Sequence, residues 1–198
     1  MPTALVTGGA VRIGRSIALH LAERGYNVAL HYWSSKQSAE QTAEELRKFN
    51  IQCEIYCVDF TNFDSIPLLM DQVLVDFNSI DLLINSAANF IQKNIEKTSD
   101  LELLDTININ LMAPFILMRE FKNKVNKGLI INILDERILR RVSTFSAYSI
   151  SKSALAHLTE LSAVSWGETI RVNGIAPGLI LPPSGSSHDY LIKKAPNI

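Results

Sequence analysis

The sequence has few charged residues for its length, and their signs nearly cancel. Charged residues make up 20% of the chain, and 19 Lys and Arg side chains stand against 20 Asp and Glu, a net charge of −1 at pH 7. A nucleic-acid-binding protein needs a basic surface, which this composition does not supply. No apolar run approaches the roughly 20 residues of a membrane span. We therefore expect neither nucleic acid nor a membrane as a partner.

The start of the sequence and its few cysteines bear on where the protein is expected to act. The chain begins directly in an apolar, strand-like segment, PTALVTGG, so we expect a cytoplasmic protein. It has two cysteines, Cys53 and Cys57, which in one strand would lie roughly 13 Å apart, too far for a disulfide. No histidine or further cysteine lies near them in the sequence to complete a metal site. We expect both cysteines to pack in the core, and we expect no metal.

The chain does have a regular alternation of strand-like and helical segments. Its 198 residues, 47% of them hydrophobic, are enough for a single well-buried domain, which we place at residues 1–198. Strand-like runs cover residues 4–7, 27–32, 53–59, 81–85, 129–134 and 171–176. The segments between them repeat apolar residues at helical spacing, such as Ile13, Ile17 and Leu21. Repeated βα units predict an α/β fold, a doubly wound parallel sheet between two helical layers, with ligands beyond the carboxyl ends of the strands.

The first βα turn, TGGAVRIGR, is typical of a phosphate-binding turn. Gly8 and Gly9 permit a tight turn, and Gly14 lets the helix begin close to the strand. The amide groups of the turn and the positive end of the helix dipole then favour a pyrophosphate. An ordinary βα loop is the alternative.

The end of the second strand, HYWSSK, indicates which dinucleotide binds. Proteins that select NAD commonly place a carboxylate here for the ribose hydroxyls, and this segment has none. Its hydroxyl and cationic groups suit a 2′-phosphate, so we predict NADP(H); the alternative is a polar strand end without a ligand. Asp59, which ends the third strand-like run, either accepts a hydrogen bond from the adenine amino group or caps a turn.

The segment AYSISK places Tyr148 and Lys152 four residues apart, on one face of a helix. A lysine ammonium near a phenol lowers the pKa of the phenol, which then donates a proton near neutral pH. Asn110, on the preceding long helix, is a candidate to tether water to the lysine. The alternatives are a solvated helix face for the pair and a packing role for Asn110.

Taken in order along the chain, TGGxxxIG, Asp59, NSAA, Asn110 and YSISK resemble the short-chain dehydrogenase/reductase family, from Thr3 to about Leu181. The resemblance implies a Rossmann-type αβα sandwich in which Tyr148 donates a proton, Lys152 binds the nicotinamide ribose and Asn110 completes the relay. It also implies that the helices around Leu101–Phe121 and Ser146–Trp166 pair subunits into a homodimer or homotetramer, and that the last strand of the family is missing here. We expect the following cofactor contacts: Gly8, Gly9, Arg12, Ile13, Gly14, His31, Tyr32, Ser34, Ser35, Lys36, Asp59, Phe60, Asn85, Ser86, Ala87, Tyr148, Lys152, Pro177 and Gly178.

Within that family, the arginine-containing turn is similar to that of the pteridine reductases and dihydromonapterin reductases. HYWSS resembles their HYxRS segment, with Ser34 in place of the arginine. Phe90, in NSAANF, stands where their pterin-stacking phenylalanine lies, although Ala88 replaces a pterin-contacting serine and Ser86 replaces an asparagine. Asp135 stands thirteen residues before Tyr148, where most of the wider family has serine.

The carboxylate of Asp135 carries the substrate prediction. An ionised carboxylate has no proton to donate to a ketone oxygen, whereas it suits a substrate with N–H groups or a ring nitrogen. We therefore predict NADPH-dependent reduction of a C=N bond in a dihydropterin or dihydrofolate. Arg12 would reach from the cofactor phosphates to the ring, Phe90 would cover one ring face, and Asp135 and Tyr148 would contact the ring.

Three alternatives remain open at this point. Asp135 caps its loop or pairs with Arg137 or Arg140 instead of meeting the substrate. The protein is a carbonyl reductase, such as a 3-oxoacyl-carrier-protein reductase, with Asp135 protonated or turned away. Or it binds NADP without catalysing a reaction.

Overall fold

The computed structural model describes residues 1–140 and 143–182, and in these ranges strands and helices alternate along the chain. The strands are β1 (Thr3–Val6), β2 (Asn27–Tyr32), β3 (Cys53–Cys57), β4 (Leu82–Asn85), β5 (Gly128–Ile133) and β6 (Ile170–Ile175). The α-helices are α1 (Arg12–Glu23), α2 (Lys36–Arg47), α3 (Ser65–Phe77), α4 (Asp100–Ile107), α5 (Ala113–Lys124) and α6 (Ser146–Trp166). All of the predicted strands are present, each with bounds within two residues of those predicted.

The strands form one parallel sheet in the order β3-β2-β1-β4-β5-β6. In the centre, Leu5 of β1 pairs with Ala29 of β2 on one side and with Leu83 of β4 on the other. The direction in which the chain adds strands therefore reverses between β1 and β4, which is where such sheets open a crevice for a ligand. The predicted doubly wound parallel sheet is confirmed.

Two apolar layers cover the two faces of this sheet, because successive side chains of a strand point to opposite faces. Leu5 of β1 belongs to the core cluster that α3 and α5 cover, with Met70 and Phe121. Its neighbour Val6 belongs to the other cluster, with Ala18 of α1 and Leu46 of α2. The structure thus has the predicted three layers.

The glycine turn brings α1 unusually close to β1. A Cβ atom on Gly14 would lie 2.2 Å from the carbonyl oxygen of Gly8, and a Cβ atom on Gly8 would lie 2.8 Å from Cα of Ala87. Gly8 has a positive φ of 62°, which favours glycine. Arg12, the first residue of α1, also has a positive φ of 53°, an uncommon conformation for a residue with a side chain. The turn therefore holds the start of α1 against the ends of β1 and β4.

A π-helical turn at Asn108–Met112 joins α4 to α5, so that residues 100–124 form one helical stretch. By length and composition this stretch is apolar enough to cross a membrane, which corrects the expectation that no segment approaches that length. Its residues Leu117, Met118 and Phe121 are fully buried in the core. Core helices of globular proteins meet the same criteria, so the stretch is weak support for a membrane span.

The two cysteines have different environments. Cys53 is buried, as predicted, whereas Cys57 is exposed, so the prediction of core packing is wrong for Cys57. Both cysteines point to the same face of β3, since they are four residues apart, and Cys57 is exposed at the carboxyl end of this edge strand, where its Sγ donates to the carbonyl of Trp33. Within the described ranges, no group of three or more His, Cys, Asp and Glu side chains could hold a metal ion.

Candidate active site

A cavity of about 320 Å³ lies at the carboxyl ends of β1 to β4, at the point where the strand order reverses. Eight of the predicted cofactor residues line it: Gly8, His31, Tyr32, Ser34, Ser35, Asp59, Phe60 and Ala87. Its other lining residues are Ala10, Val11, Trp33, Val58, Ala88, Asn89 and Ile109. The sheet therefore gathers residues from four separate turns into one crevice.

Other predicted cofactor residues do not line the cavity. Gly9 and Gly14 have no side chain, which allows the backbone at Gly9 to pack against Leu30 and the backbone at Gly14 to pack against Gly8. Lys36 is exposed on α2 and its Nζ lies 3.9 Å from a carboxylate oxygen of Glu40. The side chain of Asn85 is buried in the sheet, where its Nδ2 donates a hydrogen bond of 2.8 Å to Asn132. The remaining residues outside the lining are Arg12, Ile13, Ser86, Tyr148, Lys152, Pro177 and Gly178.

His31 supports the glycine turn, and it does not present its ring nitrogens to a ligand. Its Nδ1 accepts a hydrogen bond of 3.2 Å from the amide of Gly8, so its proton is on Nε2, which donates to the carbonyl of Val58 at 3.0 Å. The ring stacks on Phe60 with centroids 4.1 Å apart. Burial lowers the pKa of His31 to about 4, so the ring is neutral at pH 7. The expectation that His31 offers a cation or a hydrogen-bond donor to the cofactor is therefore corrected. His31 is a neutral residue that supports the turn through its hydrogen bonds to Gly8 and Val58.

Several backbone amides that were predicted to bind a phosphate donate hydrogen bonds to other groups of the protein instead. The amide of Gly8 donates to His31 Nδ1, and that of Gly9 donates to the His31 carbonyl at 3.0 Å. The amides of Ser86 and Ala87 both donate to Oγ1 of Thr7 at 3.0 Å. Sequence reasoning missed this role of Thr7, because a threonine at the end of a strand has no distinguishing pattern. The remaining anion-binding feature is the first turn of α1, whose N-cap residue Val11 offers no side-chain cap.

Arg12 lies at the surface. Its Nη2 donates a hydrogen bond of 3.0 Å to the carbonyl of Pro182. The predicted contacts of Arg12 with cofactor phosphates and with a substrate ring stay predictions.

A second cluster forms around Tyr148 at the start of α6. The hydroxyl of Tyr148 donates a hydrogen bond of 3.1 Å to Oδ2 of Asp135, and Nζ of Lys152 donates one of 2.6 Å to the carbonyl of Ile133. Nζ of Lys152 lies 5.8 Å from the centroid of the Tyr148 ring. The sequence prediction that these two side chains share one helix face is therefore confirmed.

The electrostatics of Tyr148 differ from the expectation. Burial, followed by the charge and the hydrogen bond of Asp135, raises the pKa of Tyr148, and Arg137 only partly offsets this. Burial lowers the pKa of Lys152 to about 8, against a smaller opposite effect of Asp135. The prediction of a lowered pKa for the phenol is thus corrected, since Tyr148 is buried and is hydrogen-bonded to Asp135, which disfavours the phenolate.

Asp135 is also paired with a guanidinium group. Nη1 of Arg137 lies 3.0 Å from Oδ1 and 2.9 Å from Oδ2, and the amide of Arg137 donates to Oδ1 at 2.9 Å. This amide bond caps the short 3₁₀ turn Glu136–Ile138. The alternative in which Asp135 caps its loop and pairs with Arg137 is therefore present, and Arg140 instead lies 3.7 Å from Glu136. The carboxylate nevertheless faces Tyr148.

An aromatic wall, formed by Phe90, Phe145 and Tyr148, flanks this carboxylate. Phe90 stacks on Phe145 with centroids 4.7 Å apart and meets Tyr148 edge-on at 4.6 Å. The guanidinium carbon of Arg137 lies 4.6 Å from the Phe145 centroid and 5.6 Å from that of Phe90. The sequence prediction for Phe90 is consistent with this position, since 53% of the residue is exposed beside Tyr148. Phe145 was missed, although its position three residues before Tyr148 was an available signal.

Asn110 connects the Tyr148 cluster to the cavity. Its Nδ2 donates to the carbonyl of Asn89 at 2.9 Å and to Oγ of Ser151 at 3.0 Å, and its Oδ1 accepts from the amide of Asn89 at 2.7 Å. Oγ of Ser151 donates in turn to the carbonyl of Tyr148 at 2.8 Å. Because Asn89 lines the cavity, the two sites share a wall. The water relay expected of Asn110 stays a prediction, and Asn89 and Ser151 were not identified from the sequence.

Pro177 and Gly178 border the turn that carries Asp135. The carbonyl of Pro177 accepts a hydrogen bond of 3.1 Å from the amide of Glu136. A Cβ atom on Gly178 would lie 3.7 Å from the Glu136 carboxylate. Their predicted contact with a cofactor stays a prediction.

Comparison with known proteins gives a consistent family match. Residues 2–189 match the model of the short chain dehydrogenase family. The chain is 33% identical over 184 residues to the uncharacterized oxidoreductase YhxC of Bacillus subtilis, covering 91% of this chain and 65% of that protein. It is 31% identical over 183 residues to the 3-oxoacyl-[acyl-carrier-protein] reductase FabG of Staphylococcus epidermidis, covering 90% and 75%. Neither relative is named as a pteridine reductase.

Solved structures agree with this match. NAD+-bound xylitol dehydrogenase superposes with a TM-score of 0.85 at 28% identity, covering 91% of this chain and 71% of that one. Acetoin dehydrogenase YohF from Salmonella typhimurium also has a TM-score of 0.85, at 25% identity, covering 95% and 76%.

We predict that the free energy of unfolding decreases as the pH is lowered, because of His31. In the unfolded chain His31 has its ordinary pKa of about 6.5, whereas the buried ring of the folded protein is protonated only near pH 4. Between these pH values the unfolded state therefore binds more protons than the folded state. The stabilising contribution is therefore complete above pH 6.5 and is lost as the pH falls toward 4, by about 3 kcal/mol. Urea unfolding at several pH values should show this loss in the wild type and a flatter profile in His31→Asn. The exposed His20, changed to Asn, is the control; an unchanged profile in His31→Asn would contradict the assignment.

Proposed function

Because the chain belongs to the short-chain dehydrogenase/reductase family, we propose that it reduces a carbonyl group with a nicotinamide cofactor, with Tyr148 as the proton donor. The observation that carries the proposal is the position of Tyr148. Its hydroxyl lies in a cluster that shares the Asn89–Asn110 wall with the crevice at the strand ends. A hydride acceptor at that wall would meet both the crevice and the phenol.

The residues present fit a dinucleotide. The close contact of Gly14 with Gly8 leaves the uncapped first turn of α1 beside the cavity, where an anion is favoured. Apolar side chains of Val58 and Ile109 line the same crevice, as a purine ring requires. When bound, the nicotinamide supplies the hydride.

The residues around Tyr148 would handle the proton. Tyr148 gives its hydroxyl proton to the oxygen of the substrate while the C=O π bond opens, and the phenol recovers a proton from solvent. Lys152, held by its bond to the Ile133 carbonyl, places a cation near the ring that stabilises the phenolate once Asp135 is no longer hydrogen-bonded to it. The ion pair with Arg137 compensates the charge of Asp135 and so weakens its repulsion of a developing alkoxide.

Reduction of a dihydropterin or dihydrofolate at a C=N bond is the second candidate. It is favoured by the hydrogen bond between Tyr148 and Asp135, which places a carboxylate beside the proton donor, and by the exposed face of Phe90. The similarity to FabG favours the carbonyl substrate. We therefore place the carbonyl first.

For the cofactor we propose NADP(H). Ser34 and Ser35 line the cavity at the end of β2, and Asp59 is the one carboxylate among the lining residues. Oδ1 of Asp59 accepts a hydrogen bond from the amide of Thr61 at 2.9 Å, so Asp59 caps a turn. Hydroxyl groups at this position accommodate a 2′-phosphate without repelling it. The xylitol dehydrogenase neighbour is bound to NAD+, so this selectivity needs its own measurement.

We further propose that the protein acts in the cytoplasm as a homodimer or homotetramer. Helices α4 and α6 both expose apolar residues, including Leu101 and Leu104 on α4 and Leu161 and Val164 on α6. Burial of such side chains between subunits is a standard source of association free energy.

A substrate panel tests the proposed reaction. NADPH oxidation by the full chain should be measured with a 3-oxoacyl thioester, a quinone, dihydrobiopterin and dihydrofolate. We expect turnover with a carbonyl compound. Turnover with the pterins alone would overturn the carbonyl proposal in favour of the second candidate, and cofactor binding without turnover of any compound would indicate a non-catalytic protein.

We predict that Tyr148→Phe lowers kcat about 100- to 10,000-fold, because it removes the general acid and leaves the ring. The dissociation constant of the cofactor should stay near the wild-type value, which separates a catalytic loss from misfolding. Tyr26→Phe, at the opposite end of β2, is the control. Wild-type turnover in Tyr148→Phe would reject the role of the phenol.

We predict that Ser34→Asp weakens NADPH binding about tenfold or more and leaves NADH binding unweakened. The new carboxylate would repel a 2′-phosphate, and a repulsion of about 1.4 kcal/mol already corresponds to a tenfold loss. Gln37→Asp adds the same charge on α2, outside the cavity, as the control. Equal losses for both cofactors would contradict NADP selectivity, as would comparable affinities in the wild type.

A further inference from the structure

Two hydrogen-bond donors converge on a single oxygen atom in the Tyr148 cluster. Oδ2 of Asp135 accepts from the Tyr148 hydroxyl at 3.1 Å and from Nη1 of Arg137 at 2.9 Å. Two donors at about 2.7 to 3.1 Å are the arrangement that stabilises a developing oxyanion. A carboxylate oxygen resembles an alkoxide in charge and size, so Oδ2 marks a position suited to the oxygen of a reacting carbonyl.

The guanidinium of Arg137 has supports besides Asp135. Its planar group lies over Phe145, 4.6 Å from the ring centroid, and 5.6 Å from that of Phe90. Its hydrogen bonds within the described ranges all leave from Nη1, and its Nε is buried without a partner. Only 25% of its side chain is exposed. The aromatic rings would therefore keep the guanidinium in place if Oδ2 of Asp135 moved away.

Asp135 can release one oxygen without losing its own position. Oδ1 accepts one hydrogen bond of 2.9 Å from the backbone amide of Arg137 and one of 3.0 Å from Nη1 of the same residue. Neither of these bonds involves Oδ2. A combined change of χ1 and χ2 would pivot the carboxylate about Oδ1, so that Oδ2 leaves the phenol while Oδ1 stays within reach of the Arg137 amide. Lys152 does not fill the vacated place, because its Nζ is bonded to the carbonyl of Ile133.

We propose that Arg137 donates the second hydrogen bond to the carbonyl oxygen of the substrate, and that Oδ2 of Asp135 occupies the position of that oxygen in the free protein. This inference rests on the proposed carbonyl reduction. Tyr148 and Arg137 then form the donor pair, and substrate binding requires exchange of the carboxylate oxygen for the carbonyl oxygen. Asp135 tunes this exchange and is not a proton donor to the substrate.

A double-variant cycle separates direct donation by Arg137 from simple charge compensation. In the Asp135→Ala background the charge that Arg137 would compensate is gone. We expect Asp135→Ala to raise kcat/KM for a carbonyl substrate, because no carboxylate oxygen then has to be displaced, and Arg137→Met to lower it about 100-fold. We also expect Arg137→Met to cost at least about tenfold when Asp135 is already Ala. No cost in that background would overturn the proposal.

Matched variants keep the kinetic test specific. Asp135→Asn preserves an oxygen for the amide of Arg137 in case the alanine loosens the 3₁₀ turn. Arg137→Lys, which keeps a cationic donor, should recover part of the loss. Arg140→Met removes a cation from the same loop, where Arg140 is exposed and lies near Glu136 and not Asp135, and should leave kcat/KM unchanged.

A binding measurement judges the donor pair independently of turnover. Acetate should occupy the space that Asp135→Ala vacates and accept from both donors, which NMR line broadening of acetate can follow. We expect at least tenfold weaker acetate binding in Asp135→Ala, Arg137→Met than in Asp135→Ala alone. Equal affinities would overturn the role of Arg137. Failure of every carbonyl substrate in the wild type, with the acetate result as expected, would instead remove the proposed function and leave an oxyanion-binding pair.

Discussion

The carboxylate of Asp135 lies in a pocket where 14% of its side chain is exposed, and its negative charge must be balanced there. Arg137 provides the balance through Nη1 and the backbone amide, and Tyr148 contributes its hydroxyl. A buried charge without such partners would be strongly destabilising. This requirement directs the hydroxyl of Tyr148 and the guanidinium of Arg137 toward the carboxylate.

A second constraint, the pairing of buried backbone groups, shapes the neighbouring cavity. His31 accepts a hydrogen bond from the amide of Gly8, and Thr7 accepts hydrogen bonds from the amides of Ser86 and Ala87. These bonds hold the turns after β1 and β4 in place. Such bonds pre-form the crevice before a ligand enters, which lowers the ordering cost of binding. Asn110 extends the same network to α6 through Ser151. Two sets of hydrogen bonds, one around Thr7 and one around Asn110, therefore hold the cavity wall and the start of α6.

Several expectations failed for reasons of environment. Lys152 is four residues from Tyr148, as the sequence spacing required, but burial and the charge and hydrogen bond of Asp135 raise the pKa of the phenol. Cys57 lies on the same face of β3 as the buried Cys53, but it stands at the carboxyl end of this edge strand and is exposed there. His31 is in the predicted crevice, yet both of its nitrogens bond to the backbone. In each case the residue type and position were predictable, and its partners were not.

The sequence by itself determined the doubly wound sheet, the place of the crevice and the shared helix face of Tyr148 and Lys152, because hydrophobic periodicity and glycine spacing are local properties of the chain. Only the tertiary structure decided that Arg137 neutralises Asp135, that Phe145 joins Phe90, and that Thr7 and His31 support the turns. These contacts depend on distances between side chains, some of them far apart in the sequence, and on the burial that sets the strength of their electrostatic interactions.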